Sequence, residues 1–153
     1  MSTKVEQLLA NKGRKVWSIQ PETTVQQAVA LFGIHDVGAV LVCDEQGCLI
    51  GVLSERDCVR KVMWQGRATQ TSLVSEVMRT DVVAVSPNDT IEQCMALMTE
   101  RRTRHLPVVE RGEILGVISM GDVIHAMLHE KDWLIESLEG YISGSPSVRP
   151  PAH

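Results

Sequence analysis

The sequence predicts an α/β (α+β) fold: two pseudo-symmetric β-α-β-β-α repeats packed sheet to sheet as one module. Three observations point there. Residues 16–32, VWSIQPETTVQQAVALF, lie over residues 82–98, VVAVSPNDTIEQCMALM, with Pro21 on Pro87, Thr24 on Thr90 and Gln27 on Gln93. Each stretch is followed by two apolar runs, AVLVC and CLIGVLS in the first copy, LPVVE and ILGVIS in the second. Each copy then closes on one signature, GVLSERD at 51–57 and GVISMGD at 116–122.

The elements follow in order. An N-terminal helix and turn occupies 1–15, and the first repeat spans 16–65. A short strand at 16–19 ends in Pro21, and its counterpart at 82–85 ends in Pro87. The helix after each strand is capped by Thr24 or Thr90. Its apolar positions are Val25, Ala28, Val29 and Phe32, matched by Ile91, Cys94, Met95 and Met98, an i, i+3, i+4, i+7 stripe. The two runs that come next are strands joined by a turn, at DEQG and again at Arg111-Gly112. Their near-continuous apolarity is that of strands buried on both faces. A polar connector at 66–81 carries a helical turn near Val74 to Met78. The second repeat, 82–143, ends in an extended helix with Ile124, Leu128, Leu134, Ile135, Leu138 and Ile142. A Pro/Ser-rich tail, 144–153, is expected to be disordered. One repeat buries too little surface to stand alone, which predicts a shared core.

Composition narrows the function. The chain has 153 residues, 44% hydrophobic and 22% charged, as in an ordinary soluble domain. A net charge of −4 argues against nucleic acid as the main target. No signal-peptide h-region and no run long enough to span a bilayer is seen, so a cytoplasmic protein without a membrane partner is expected. Cys43, Cys48, Cys58 and Cys94 fit no ligand knuckle and are read as reduced and structural. There is no GxxxxGK[ST], GxGxxG or HExxH motif, and no Ser/His/Asp set assignable from spacing. An enzyme is not expected, and neither a catalytic residue nor a metal site is assigned.

Ser54-Glu-Arg-Asp57 and Ser119-Met-Gly-Asp122 each allow two readings. Serine at an N-cap with an acidic residue three positions on approximates a capping box. The same aspartate, at a strand-to-helix turn, can accept hydrogen bonds from both hydroxyls of a ribose, and the helix start suits an anion. Arg101, Arg102, Arg104 and His105 form a dense basic cluster. The first two suit a solvated helix end; Arg104 and His105 begin the LPVV strand. The first copy has Gly38-Ala39 there, small enough to let a flat ring approach the backbone. His125 and His129, at i, i+4, are read as a solvated or dimer-facing pair. Trp17, Trp64 and Trp133 are read as packing residues, Trp17 lying beside Ser18.

With its duplicated unit, the Pro after each first strand and a G-h-h-S-x-x-D before each last helix, the chain resembles a tandem pair of cystathionine-β-synthase (CBS) domains. It looks like the stand-alone bacterial type, over about residues 5–143. The resemblance implies a Bateman-type regulatory module that senses nucleotides and does no chemistry, often a homodimer through its helices. AMP, ATP, NAD(H) or a related adenosyl ligand would lie in the cleft between the repeats. It makes Asp122 the ribose-binding residue and gives Arg104 and His105 to phosphate. The full ligand site is then Val16, Trp17, Ser18, Val37, Gly38 and Ala39 with Arg104, His105, Pro107, Ser119, Met120, Gly121 and Asp122. Second-site candidates are Ser54, Arg56, Asp57, Val83, Val85 and Lys15. The rival is a structural dimerisation module with empty clefts; a nucleotide-processing enzyme would need a base and a metal site that the sequence does not display.

Overall fold

Thr24 and Thr90 show how locally the helices are specified. Thr24 Oγ1 accepts the Gln27 N–H at 3.2 Å while Gln27 Oε1 accepts the Thr24 N–H at 3.0 Å. Thr90 and Gln93 repeat this at 3.2 and 2.8 Å. These capping boxes start α2 (Val25–His35) and α5 (Ile91–Arg101). Both helices end on a left-handed residue, Asp36 or Arg102. The computed structural model describes residues 2–13 and 15–142. Residues 144–153 lie outside them, as do the side chains of Trp133, Leu134 and Ile142.

The chain divides into two units. The first-repeat unit begins at Lys15 and ends at Val83. In it β1 (Ser18–Ile19) runs parallel to β2 (Ala39–Cys43), which pairs antiparallel with β3 (Leu49–Ser54). Ile19, Val25, Ala28, Phe32, Val40, Val42 and Leu53 form its core with Cys58, Val62, Val74 and Val77. After β3 comes α3 (Glu55–Cys58), prolonged by a π-helical turn over Val59–Met63. The second-repeat unit joins the N-terminal residues to those from Ala84 onward. Its strands β4 (His105–Glu110) and β5 (Glu113–Ser119) form an antiparallel pair, and α6 (Met120–Ile142) follows directly.

The leader segments are exchanged. Helix α1 (Val5–Lys12) precedes the first repeat but docks in the second-repeat unit. There Val5 N donates to Asp89 O at 2.9 Å, Glu6 N to Pro87 O at 3.0 Å, and Ile91 N to Thr3 O at 3.0 Å. The short helix α4 (Val74–Val77) precedes the second repeat but docks on the first. Val74 N donates to Thr23 O at 2.8 Å, Ser75 N to Pro21 O at 3.0 Å, and Val25 N to Ser72 O at 2.9 Å. The two sets correspond bond for bond.

Some expectations need correction. The strand expected at 82–85 is a single parallel bridge, Val85 to Val108, because Ala84 and its predecessors make no further ladder. At 16–19 only Ser18 and Ile19 are strand. Val29, placed on the buried stripe, is exposed: Val25, Ala28 and Phe32 fill the core, and Leu31 packs at its margin. Trp64, expected to pack, is 80% exposed. Its N–H bonds the Val59 carbonyl five residues back at 2.8 Å, a widened turn that puts Val62 inside and Trp64 outside. Trp17 is half-buried against the core and stacks on His35 with ring centroids 3.5 Å apart.

All four cysteines are free thiols. Burial, then the nearby carboxylates, pushes Cys58 and Cys94 up to about 11, which leaves both as apolar filling. Among the described residues no helix is long and apolar enough to cross a membrane.

Candidate functional site

Both Ser-x-x-Asp turns are real capping boxes. Ser54 N donates to Asp57 Oδ2 at 3.2 Å, and Asp57 N returns a bond to Ser54 Oγ at 3.1 Å. Ser119 N donates to Asp122 Oδ2 at 2.8 Å, and Asp122 N to Ser119 Oγ at 3.1 Å. Each box turns the chain out of a strand and into a helix, and fixes the aspartate at the end of its sheet.

The residue pair opposite each box is set by strand register. Ala39 faces Ser54 and His105 faces Ser119. Gly38 O accepts the Glu55 N–H at 3.0 Å, and Arg104 O accepts the Met120 N–H at 2.8 Å. Gly38-Ala39 and Arg104-His105 are therefore structural equivalents, as the sequence alignment of the two copies implied. In the second-repeat unit Arg104, His105, Ser119, Met120 and Asp122 meet at one strand-to-helix turn. Arg104 is exposed, His105 half-buried, and Gly121 is exposed, where a Cβ would meet only Ser119 Oγ, at 3.6 Å. Pro107 is buried opposite Val117.

In the first-repeat unit Trp17 O accepts the Leu41 N–H at 3.0 Å, and Ser18 lies beside Leu41. That brings Trp17 and Ser18, with Val16 just before them, alongside β2, whose first residue, Ala39, directly follows Val37 and Gly38. Lys15 and Arg56 are exposed, and Val83 is half-buried. Val85 sits elsewhere: it is buried in the second-repeat unit, bonded on both sides to β4 by Val85 N to Pro107 O and Val109 N to Val85 O, each 2.9 Å.

The aspartates differ in what neutralises them. Lys12, at the end of α1, donates to Asp122 Oδ2 at 2.6 Å and to Val117 O at 2.8 Å. The Lys12 ammonium and the Ser119 backbone N–H both donate to Oδ2 of this carboxylate, so Oδ1 takes neither of these two donors. Burial alone would raise the Asp122 pKa. The hydrogen bonds from Lys12 and Ser119, with the Lys12 charge, outweigh it and hold the carboxyl below its ordinary value. At Asp57 the boxed oxygen is again Oδ2, which also accepts the Ser54 hydroxyl at 3.0 Å. There Oδ1 is the oxygen facing a lysine, Lys61, at 3.8 Å. Lys61 in turn donates to Val77 O of α4 at 3.1 Å. A lysine thus links the boxed aspartate to the docked leader in both units.

Sequence reasoning missed both lysines. Lys61 had a visible cue, the i, i+4 spacing from Asp57. Lys12 had none, since its partner is more than a hundred residues away. Lys12 and Asp122 line a groove of about 740 Å³ between α1 and α6, with Gln7, Asn11, His125 and His129 along its walls. Among the described residues no group of three or more His, Cys, Asp or Glu side chains is arranged to hold a metal.

The CBS domain family profile matches residues 6–63 and 74–129. A mitochondrial CBS domain-containing protein of Arabidopsis thaliana is 34% identical over 152 residues, 94% of this chain and 73% of that one. The crystal structure of a CBS-domain protein from Agrobacterium tumefaciens is similar with a TM-score of 0.78 at 41% identity. That match covers 83% of this chain and 95% of that one. At the level of fold alone, the chain is similar to a CBS domain pair solved with 5′-methylthioadenosine and S-adenosyl-L-methionine. There the TM-score is 0.74 at 17% identity, covering 85% and 99% of the two chains.

Proposed function

Because the chain belongs to the CBS-domain family, as a tandem pair, we propose that it is a non-catalytic regulatory module that binds an adenine nucleotide: AMP, ATP or NAD(H). One observation carries the reading. Asp122 is boxed and ion-paired on a single oxygen, at the same turn that Arg104 and His105 adjoin. A ribose diol supplies neutral O–H donors for Oδ1, and a guanidinium offers a planar fork for phosphate. The fold-level likeness to a CBS pair that holds adenosyl ligands supports the choice of ligand class. Binding would favour one of two arrangements of the chain, which is all that a sensor of this kind requires.

Calorimetric titration of AMP, ATP and NAD(H) tests the reading. Asp122→Ala is expected to weaken binding by about tenfold or more, from the loss of a charged acceptor. Asp57→Ala is expected to weaken it less, since Oδ1 there already faces Lys61. No binding by the wild type at millimolar nucleotide refutes the reading; the reverse order of the two variants moves the principal site to the first repeat.

A second reading, self-association through helices, is favoured by a separate observation. Ile124, Leu128, Ile135 and Leu138 of α6 are exposed, at 43–55% of their surface. Their spacing places them along one stripe of the helix, and such a stripe invites a second copy.

A further inference from the structure

We infer that Lys12 is a positioning residue for the ligand site, and that through it the leader helix α1 is a wall of that site. The inference rests on the nucleotide reading above. Lys12 spans two anchors, the Val117 carbonyl at 2.8 Å and Asp122 Oδ2 at 2.6 Å, so it ties α1 both to β5 and to the start of α6. The Ser119 N–H donates to the same carboxylate oxygen at 2.8 Å. Two donors on Oδ2 lock the rotation of the carboxylate and keep it ionised, so that Oδ1 is held in one direction for a hydroxyl donor.

The first-repeat unit shows that this arrangement is particular to Asp122. There the lysine comes from the helix after the aspartate, sits 3.8 Å from the other oxygen, and spends a hydrogen bond on the leader's Val77 carbonyl. In the second-repeat unit the lysine comes from the leader itself. Docking of α1 is also secured at its far end, where Glu130 Oε1 accepts both the Thr3 N–H at 2.8 Å and the Thr3 hydroxyl at 2.9 Å. The groove between α1 and α6 opens beside Lys12 and Asp122. Helix α1 leads directly into the first-repeat unit, which begins at Lys15. Occupancy at Asp122 and docking of α1 are therefore linked, and by reciprocity each strengthens the other.

The test compares adenosine with AMP, by calorimetry, on the wild type, Lys12→Met and Lys12→Arg. Acting through the ribose, Lys12→Met weakens adenosine and AMP by the same factor, about tenfold. Lys12→Arg, which keeps the charge and can donate to two acceptors, restores most of it. In the wild type, saturating AMP slows hydrogen exchange of the α1 amides, and Lys12→Met removes that protection. Equal binding by Lys12→Met and wild type overturns the inference and leaves the nucleotide reading standing. So does a loss confined to AMP, which would make Lys12 a direct phosphate contact. A loss that Lys12→Arg does not recover, accompanied by a lower thermal midpoint, makes the role structural and also overturns it. A wild type that binds neither ligand removes the nucleotide reading and this inference together.

Discussion

Asp122 and Asp57 occupy equivalent turns but differ in electrostatic setting. The Asp122 side chain is 25% exposed and its ion pair with Lys12 is short; Lys61 stands farther from Asp57. The lowered Asp122 pKa has a consequence for stability, whose sign follows from linkage. The unfolded chain takes up this proton at a higher pH than the folded one, so the contribution is fully present above the unfolded value of 3.8. It is lost as pH falls through the lower folded value. Urea unfolding of wild type and Asp122→Asn across pH 7 to 2.5 checks this. The asparagine amide oxygen can still accept the Ser119 N–H and complete the box, so the gap at neutral pH is expected to be modest, up to about 1 kcal/mol for a partly exposed pair. It closes only below pH 3.8. A gap that persists unchanged into acid would assign the difference to the cap rather than to the ion pair.

Among the elements, the leader segments depend on two glycines. A Cβ on Gly51 would stand 2.6 Å from Met78 Sδ and 3.0 Å from the Arg79 carbonyl, a backbone atom paired with Val52. A Cβ on Gly116 would meet Leu9 Cδ2 at 2.8 Å, the end of a side chain. Gly51→Ala is expected to cost about 1–3 kcal/mol of unfolding free energy, as overpacking does. Gly116→Ala is expected to cost less, because the Leu9 methyl can shift where the Arg79 carbonyl cannot. Denaturant midpoints rank the two, and the opposite order would show that α1 is held more rigidly than α4. The caps and hairpins were legible in sequence, since Thr24 and Gln27, or Ser119 and Asp122, lie within one turn of each other. Leader exchange was not legible: VEQL and VSEV are too short to reveal a repeat, and either could dock on the nearer copy.

For the whole molecule, the question is what the exposed stripe of α6 does. Ile124, Leu128, Ile135 and Leu138 leave apolar surface in water on a 23-residue helix. Size-exclusion or sedimentation across a range of concentrations is expected to show reversible association, with Leu128→Glu shifting it toward the monomer. Identical behaviour of wild type and variant would remove the stripe from any interface. If association and nucleotide binding both occur, the thermal midpoint depends on protein as well as ligand concentration, and each must be varied separately.

The amino-acid sequence by itself determined the duplication, the capped helices, the strand pairs, and the equivalence of Gly38-Ala39 with Arg104-His105. Each of these rests on local periodicity or on the register of a hairpin, and such contacts are written into nearby residues. Only the tertiary structure decided which leader completes which repeat and which oxygen of each aspartate is occupied. It also brought Lys12 to Asp122. That contact depends on the path of a chain that brings residues 12 and 122 within 2.6 Å, and no pattern along the sequence encodes such a distance.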